Sequence, residues 1–159
     1  MAIIVPLIIL SLTKPMIGYA KTYNIDQEKI CLAKVIYHEA RGESDLGKKS
    51  VAKIVINRKQ HRKFPKTICQ VVNQVAYIGR KKVCQFSWVC NKPKFDSGSD
   101  SWENSLALSD AILNNETSLP NFGPDVLFFR STSSRQSFGK GYKLVTKVGH
   151  AKFYEKKFS

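Results

Sequence analysis

Apolar positions along the chain follow a helical period in its first two thirds and a strand-like alternation at its end. The helical stripes predict helices over about residues 25–41, 44–59, 67–74 and 102–115. The remaining patterns predict an irregular hairpin over 75–90, with its returning strand at 83–89, and strands over 126–130, 143–148 and 150–154. The predicted fold class is therefore α+β, a mostly helical single domain with a small antiparallel sheet.

The first two predicted helices meet at a glycine-containing corner. Asn24 and Gln27 resemble a capping box at the start of the first helix. Gly42 is expected to end that helix in a left-handed conformation, and Ser44 to cap the second. The corner therefore fixes how the residues just before Gly42 are presented.

Glu39 continues the apolar stripe of the first helix close to its C-terminal end. Apolar neighbours and the negative end of the helix dipole both raise the pKa of a carboxyl there. A raised pKa suits a general acid at neutral pH. The plainer alternative is a solvated ion pair with Arg41.

Charge and length narrow the classes of partner. The 159 residues fit one domain, and the formal net charge is +14. Such a chain favours polyanions, including an anionic bacterial wall or membrane surface. The basic residues are spread along the chain, and we expect no specific nucleic acid partner.

The N-terminus and the cysteines both indicate export. An apolar run over residues 2–13 and the small-residue exit Gly18-Tyr19-Ala20 predict a secretory signal peptide at 1–20, followed by the functional domain at 21–159. An uncleaved anchor is the alternative. Four cysteines in an exported domain predict two disulfides, with three connectivities open. The expected location is secreted or periplasmic.

Two other kinds of chemistry find no support in the motifs. His38-Glu39 does not begin a zinc helix, because position 42 is Gly where a second His is needed. A nucleophilic serine elbow is also absent from the sequence. We therefore expect no metal and no organic cofactor.

Several separated motifs together resemble the SleB/CwlJ-type cell wall hydrolase family. They are YHEARGES at 37–44, GKKSVAKIVINR at 47–58, KFPKTICQVV at 63–72 and CQFSW at 84–88. The resemblance covers about residues 30–154. It implies a lysozyme and lytic transglycosylase-like fold, peptidoglycan glycan strands as substrate, and Glu39 as the catalytic acid and base.

Further site residues are expected beside Glu39. Strand alternation over 85–88 would put the Gln and Ser on one face and the aromatic residues on the other, a combination suited to sugars. The family pattern carries a Tyr-His or similar pair on a late strand, whereas Phe128-Phe129-Arg130 stands here, with Arg130 as a substitute contact. The predicted substrate-binding residues are Tyr37, Arg41, Glu43, Gln85, Phe86, Ser87 and Trp88.

The resulting hypothesis is an exported, monomeric enzyme that cleaves the MurNAc–GlcNAc β-1,4 bond as a lytic transglycosylase with a single Glu. True hydrolysis remains open, because Glu43 or Asp45 could supply a second carboxylate. The alternatives are a peptidoglycan- or polyanion-binding module without catalysis, and an N-acetylmuramoyl amidase.

Overall fold

The computed structural model describes residues 17–135 and 138–158, with the side chains of the first helix described from Asp26 onward. The helices are α1 (Ile17–Ala40), α2 (Asp45–Gln60), α3 (Ile68–Val72), α4 (Ser87–Asn91) and α5 (Asp100–Leu113). The strands are β1 (Val75–Ile78), β2 (Lys81–Cys84), β3 (Val126–Ser131), β4 (Tyr142–Val148) and β5 (Ala151–Lys156). The predicted α+β class is confirmed.

The corner between α1 and α2 differs in detail from the prediction. Helix α1 continues through Asn24, so the predicted capping box there is wrong. The helix begins upstream at Ile17, and a local cap pattern is too weak to prevent a helix from extending through it. Gly42 does not adopt a positive φ. A turn in which the Glu43 N–H donates to the Ala40 carbonyl ends α1, and Ser44 then caps α2 as predicted.

The helices share one apolar core in which α1 packs against α2, α3 and α5. Leu32, Ile36, Val55 and Val71 are fully buried there. Glu28 of α1 fastens α3, because its carboxylate accepts hydrogen bonds from the Ile68 and Cys69 backbone N–H groups at 2.7 and 3.1 Å. This arrangement fixes the face of α1 from which residue 39 projects.

The C-terminal strands form an antiparallel sheet of order β3-β5-β4. Two side chains of α2 attach it to the helices. The Asn57 side-chain amide donates to the Gly123 and Val126 carbonyls at 2.9 Å each, and Arg58 Nε donates to the Leu127 carbonyl at 2.8 Å. The start of β3 is therefore held along α2, and the sheet faces the α1–α2 corner.

The segment after β2 contradicts the strand predicted over 83–89. β1 and β2 form a short hairpin, but β2 ends at Cys84 and Ser87 begins helix α4. Phe86 turns into the core with 3% exposure, and Cys84 is bonded to Cys90. Both contacts curl the chain, and the alternation of faces expected for residues 85–88 does not occur.

Two disulfides, Cys31–Cys69 and Cys84–Cys90, settle the connectivity that the sequence left open. The first joins α1 to α3, and the second closes the loop from β2 into α4. The predicted signal peptide falls mostly outside the described residues and stays a prediction. Among the described helices, none combines the length and apolarity that crossing a membrane requires.

Candidate active site

Glu39 lies in a cleft between the helical corner and the sheet, which we name the acid cleft. Its cavity of about 160 Å³ is lined on one side by residues of α1, α2 and the corner, and on the other by β3, β5 and the end of β4. The lining includes Glu39, Glu43, Val51, Phe129, Val148 and His150. The acid cleft therefore has one helical wall and one wall formed by the sheet.

The Glu39 carboxyl is half-buried and remains open to the acid cleft. Burial raises the pKa of Glu39 above its usual value, because a carboxylate loses water there. Two groups oppose that rise: Trp88, whose indole Nε1–H donates to Glu39 Oε1 at 2.9 Å, and the positive charge of Arg58. Glu39 is therefore a carboxyl that holds its proton more readily than an exposed one and has a fixed orientation.

Arg58 is the buried cation of this region, with only 2% exposure. Its guanidinium carbon lies 5.4 to 5.8 Å from the ring centres of Phe64, Phe86 and Phe128. Burial lowers the pKa of Arg58 to about 10, against the opposing attraction of Glu39, so it stays charged at neutral pH.

Glu43 forms a fixed contact with the turn between β4 and β5. Glu43 Oε2 accepts from the His150 backbone N–H at 3.3 Å, and Oε1 lies 3.0 Å from His150 Nδ1. Gly149 adopts a positive φ of 52°, and a Cβ there would overlap the Glu43 carboxylate. Gly47 approaches Glu43 from α2, where an added Cβ would lie 2.7 Å from Glu43 Cβ. Both carboxylate oxygens of Glu43 are thus engaged.

Trp88 also lines a second, larger cleft of about 260 Å³, which we name the lysine cleft. The Trp88 ring stacks on the His38 ring, with a distance of 4.5 Å between the ring centres and an angle of 20° between the planes. Burial, followed by the charges of Arg41 and Lys34, lowers the pKa of His38. The lining includes Lys34, His38, Asn73, Trp88, Lys92 and Phe95.

The predicted substrate-binding residues divide into two groups in the structure. Glu43 lines the acid cleft, and Trp88 contacts Glu39 directly. Gln85 is linked to Glu39 only through Arg58. With its amide oriented to satisfy both partners, the Gln85 oxygen accepts from Arg58 Nη1 and Nη2 at 3.1 and 3.3 Å.

The remaining predicted residues lie outside the acid cleft. Tyr37 is 6% exposed and packs with Trp102, because position 37 faces α5. The Arg41 guanidinium lies over the Tyr37 ring at 4.8 Å. Phe86 belongs to the core, and Ser87 is exposed at the start of α4. These four residues do not line the acid cleft.

His150 is the cleft residue that sequence reasoning missed. It lies 107 positions from Glu43 in the chain, on the turn between β4 and β5, and the packing of the sheet against α2 brings the two together. The available signal was the Gly149-His150 pair between two predicted strands, which is typical of a tight turn. Arg130 was expected as a substitute contact for the substrate. Its guanidinium carbon lies 4.1 Å from the Phe138 ring centre.

A half-buried carboxyl with a raised pKa, oriented in an open cleft, defines a candidate general acid. In the part of the chain that the structure describes, no group of three or more His, Cys, Asp or Glu side chains is placed to hold a metal ion. The chemistry that these residues can perform by themselves is proton donation and acceptance at Glu39.

The sequence pattern of the cell wall hydrolase family matches residues 42–154, and the chain belongs to that family. Two solved structures share its fold. One is the catalytic domain of the germination-specific lytic transglycosylase SleB from Bacillus anthracis, with 23% identity, a TM-score of 0.55, and coverage of 80% of this chain and 93% of that one. The other is the catalytic domain of the Bacillus cereus SleB protein, with 23% identity, a TM-score of 0.51, and coverage of 80% and 89%.

No curated protein matches the chain significantly in sequence. The family match begins at Gly42, so Glu39 lies just upstream of it and its assignment depends on the geometry of the acid cleft. Glu43 and His150 fall inside the matched segment.

Proposed function

We propose that this chain degrades peptidoglycan by cleaving the MurNAc–GlcNAc β-1,4 bond, with Glu39 as general acid and then base. The observation that carries the proposal is the half-buried Glu39 carboxyl, held by Trp88 in an open cleft and with a raised pKa. Membership of the cell wall hydrolase family and the likeness to a SleB described as a lytic transglycosylase support the same substrate class.

The reaction proceeds in two proton transfers. Protonated Glu39 donates its proton to the glycosidic oxygen as the bond to the muramic C1 breaks, and the sugar acquires oxocarbenium character. The Glu39 carboxylate then accepts a proton from the muramic C6 hydroxyl, whose oxygen bonds to C1. The products are a 1,6-anhydro-muramic end and a free GlcNAc hydroxyl, and Glu39 has recovered its proton.

The environment of Glu39 suits both steps. Burial favours the protonated form needed first, whereas the Trp88 N–H and the Arg58 charge stabilise the carboxylate needed second. Because Arg58 is fixed by the Leu127 carbonyl and Gln85, its charge does not have to move during the reaction.

Hydrolysis is the second candidate, because Glu43 also lines the acid cleft and could direct a water molecule. The contacts of both Glu43 oxygens with His150 disfavour this role, because they hold the carboxylate against the β4–β5 turn. We therefore assign Glu43 to holding the β4–β5 turn and the sheet wall of the acid cleft.

The proposed site of action is outside the cytoplasm, in the wall. Two disulfides and a net charge of +14 agree with a protein that works on an anionic polymer after export. The proposed partners are glycan strands and the anionic surface around them.

Glu39→Gln tests the assignment, because it keeps the size of the side chain and removes the proton. We expect the variant to fold with unchanged thermal stability to within a few degrees and to lose lysis of purified murein by about a hundredfold or more. Glu103→Gln, on the exposed face of α5, is the matched control and should retain full lysis. Full lysis by Glu39→Gln would refute the proposal, and binding of murein by an inactive parent chain would favour the non-catalytic module.

A further inference from the structure

The lysine cleft presents two cations and an apolar wall with no acid in its lining. Lys34 of α1 and Lys92, which caps α4, both line it, together with the rings of Trp88 and Phe95. Among the described residues, neither lysine has a carboxylate within 4.0 Å, whereas Lys29 has two and Lys59 and Lys143 have one each. The cleft is therefore positively charged without internal compensation.

The backbone at Lys92 is held in an uncommon conformation. Its φ of 44° and ψ of 57° are left-handed, and its N–H donates to the Trp88 carbonyl at 2.9 Å. Glycine normally occupies such a helix-ending position, because a side chain there costs about 1 kcal/mol.

Trp88 connects the lysine cleft to the acid. Its ring lines the lysine cleft, and its indole N–H donates to the Glu39 carboxylate. The scissile bond of a substrate bound at Glu39 therefore lies beside Trp88, whose ring also borders the cleft that Lys34 and Lys92 line. In peptidoglycan the muramic residue carries a peptide stem with free carboxylates next to that bond.

We propose that the lysine cleft binds a carboxylate of the peptide stem, with Lys34 and Lys92 as its cations and the Trp88 and Phe95 rings against the apolar part of the stem. The inference rests on the proposed function, since it assumes that muramic acid lies at Glu39. It assigns a substrate preference: glycan strands that carry stems bind better than strands without them.

The test measures binding, which does not require turnover. The Glu39→Gln chain is titrated with a disaccharide-tetrapeptide muropeptide and, separately, with the same disaccharide lacking its peptide. Trp88 fluorescence reports binding, because its ring lines the lysine cleft. We expect the stem-bearing ligand to bind more tightly, and K34Q/K92Q in the same background to reduce its affinity roughly tenfold while leaving the stem-free ligand unchanged.

K81Q/K82Q is the matched control, since it removes two positive charges from the exposed β1–β2 hairpin, away from the lysine cleft. It should leave both affinities unchanged. The inference is overturned if K34Q/K92Q binds the muropeptide as tightly as its parent, if it loses affinity for both ligands equally, or if the control loses as much. Absence of murein lysis by the unmodified chain would instead count against the proposed function alone.

Discussion

The contact between Glu43 and the β4–β5 turn makes a specific prediction about Gly149→Ala. Gly149 has a φ of 52°, and a Cβ there would overlap Glu43 Oε2. The left-handed backbone alone costs an alanine about 1–2 kcal/mol. The carboxylate must also move, which weakens its bonds to the His150 N–H and ring, each worth about 1 kcal/mol at most at this partly exposed site. The free energy of unfolding should fall by roughly 1–4 kcal/mol, and by more than the backbone cost alone.

Gly79→Ala separates the two contributions. Gly79 has a φ of 61°, close to that of Gly149, but a Cβ there would meet no atom within 4 Å. Urea unfolding followed by circular dichroism should therefore show only the backbone cost for Gly79→Ala. In a Glu43→Ala background, Gly149→Ala should cost no more than Gly79→Ala does.

Two results would refute this reasoning. One is an equal loss of stability for Gly149→Ala and Gly79→Ala in the unmodified chain. The other is a cost of Gly149→Ala that persists in full when Glu43 is Ala, because the overlap would then not be its cause.

Three further predictions concern the acid, the disulfides and the surface charge. Trp88→Phe removes the N–H that stabilises the Glu39 carboxylate, so the pKa of Glu39 rises. The fall of kcat/KM on the alkaline side of the pH profile should therefore move to higher pH. An alkaline fall that stays in place or moves to lower pH would argue against the contact. Replacing Cys31 and Cys69 by Ser opens a loop with a sequence separation of 38 and should lower the free energy of unfolding by about 3–4 kcal/mol. The same change at Cys84 and Cys90, whose separation is 6, should lower it by about 2 kcal/mol. Equal losses in urea unfolding would contradict the loop-length argument. Murein binding, measured by co-sedimentation, should weaken as salt is raised from about 0.05 to 0.5 M, and a constant affinity would exclude surface charge as a cause of binding.

The helices could be predicted from the sequence because their signals are local. Apolar residues recur at helical spacing in α1 and α2, and Ser44 is a strong N-cap, so the predicted and observed ends of α2 agree within one residue. The start of α1 could not be predicted in the same way, because Asn24 within a helix and Asn24 at a cap leave similar short patterns.

The acid cleft could be predicted only in part, because half of it depends on long-range contacts. The position of Glu39 near the end of α1 indicated its burial, and the structure confirms a raised pKa. His150 and Arg58 gave no local signal. His150 reaches Glu43 because the C-terminal sheet packs against α2, and Arg58 is buried because distant carbonyl and aromatic groups surround it.

Residues 84–88 show how a short pattern misleads. Four residues of alternating character fit a strand and the first turn of a helix equally well. The deciding facts are the Cys84–Cys90 disulfide and the burial of Phe86, neither of which the alternation contains. Trp88 nevertheless lies at the site, as predicted. It does so from helix α4, where its indole N–H donates to Glu39.

The most direct test of the central claim is mass spectrometry of the products released from purified murein by the chain from Lys21 onward, alongside its Glu39→Gln variant. We predict 1,6-anhydro-muramic ends from the unmodified chain and none above background from the variant. Reducing muramic ends would replace the transglycosylase reaction with hydrolysis, and equal product from Glu39→Gln would contradict the assignment of Glu39 as the catalytic acid.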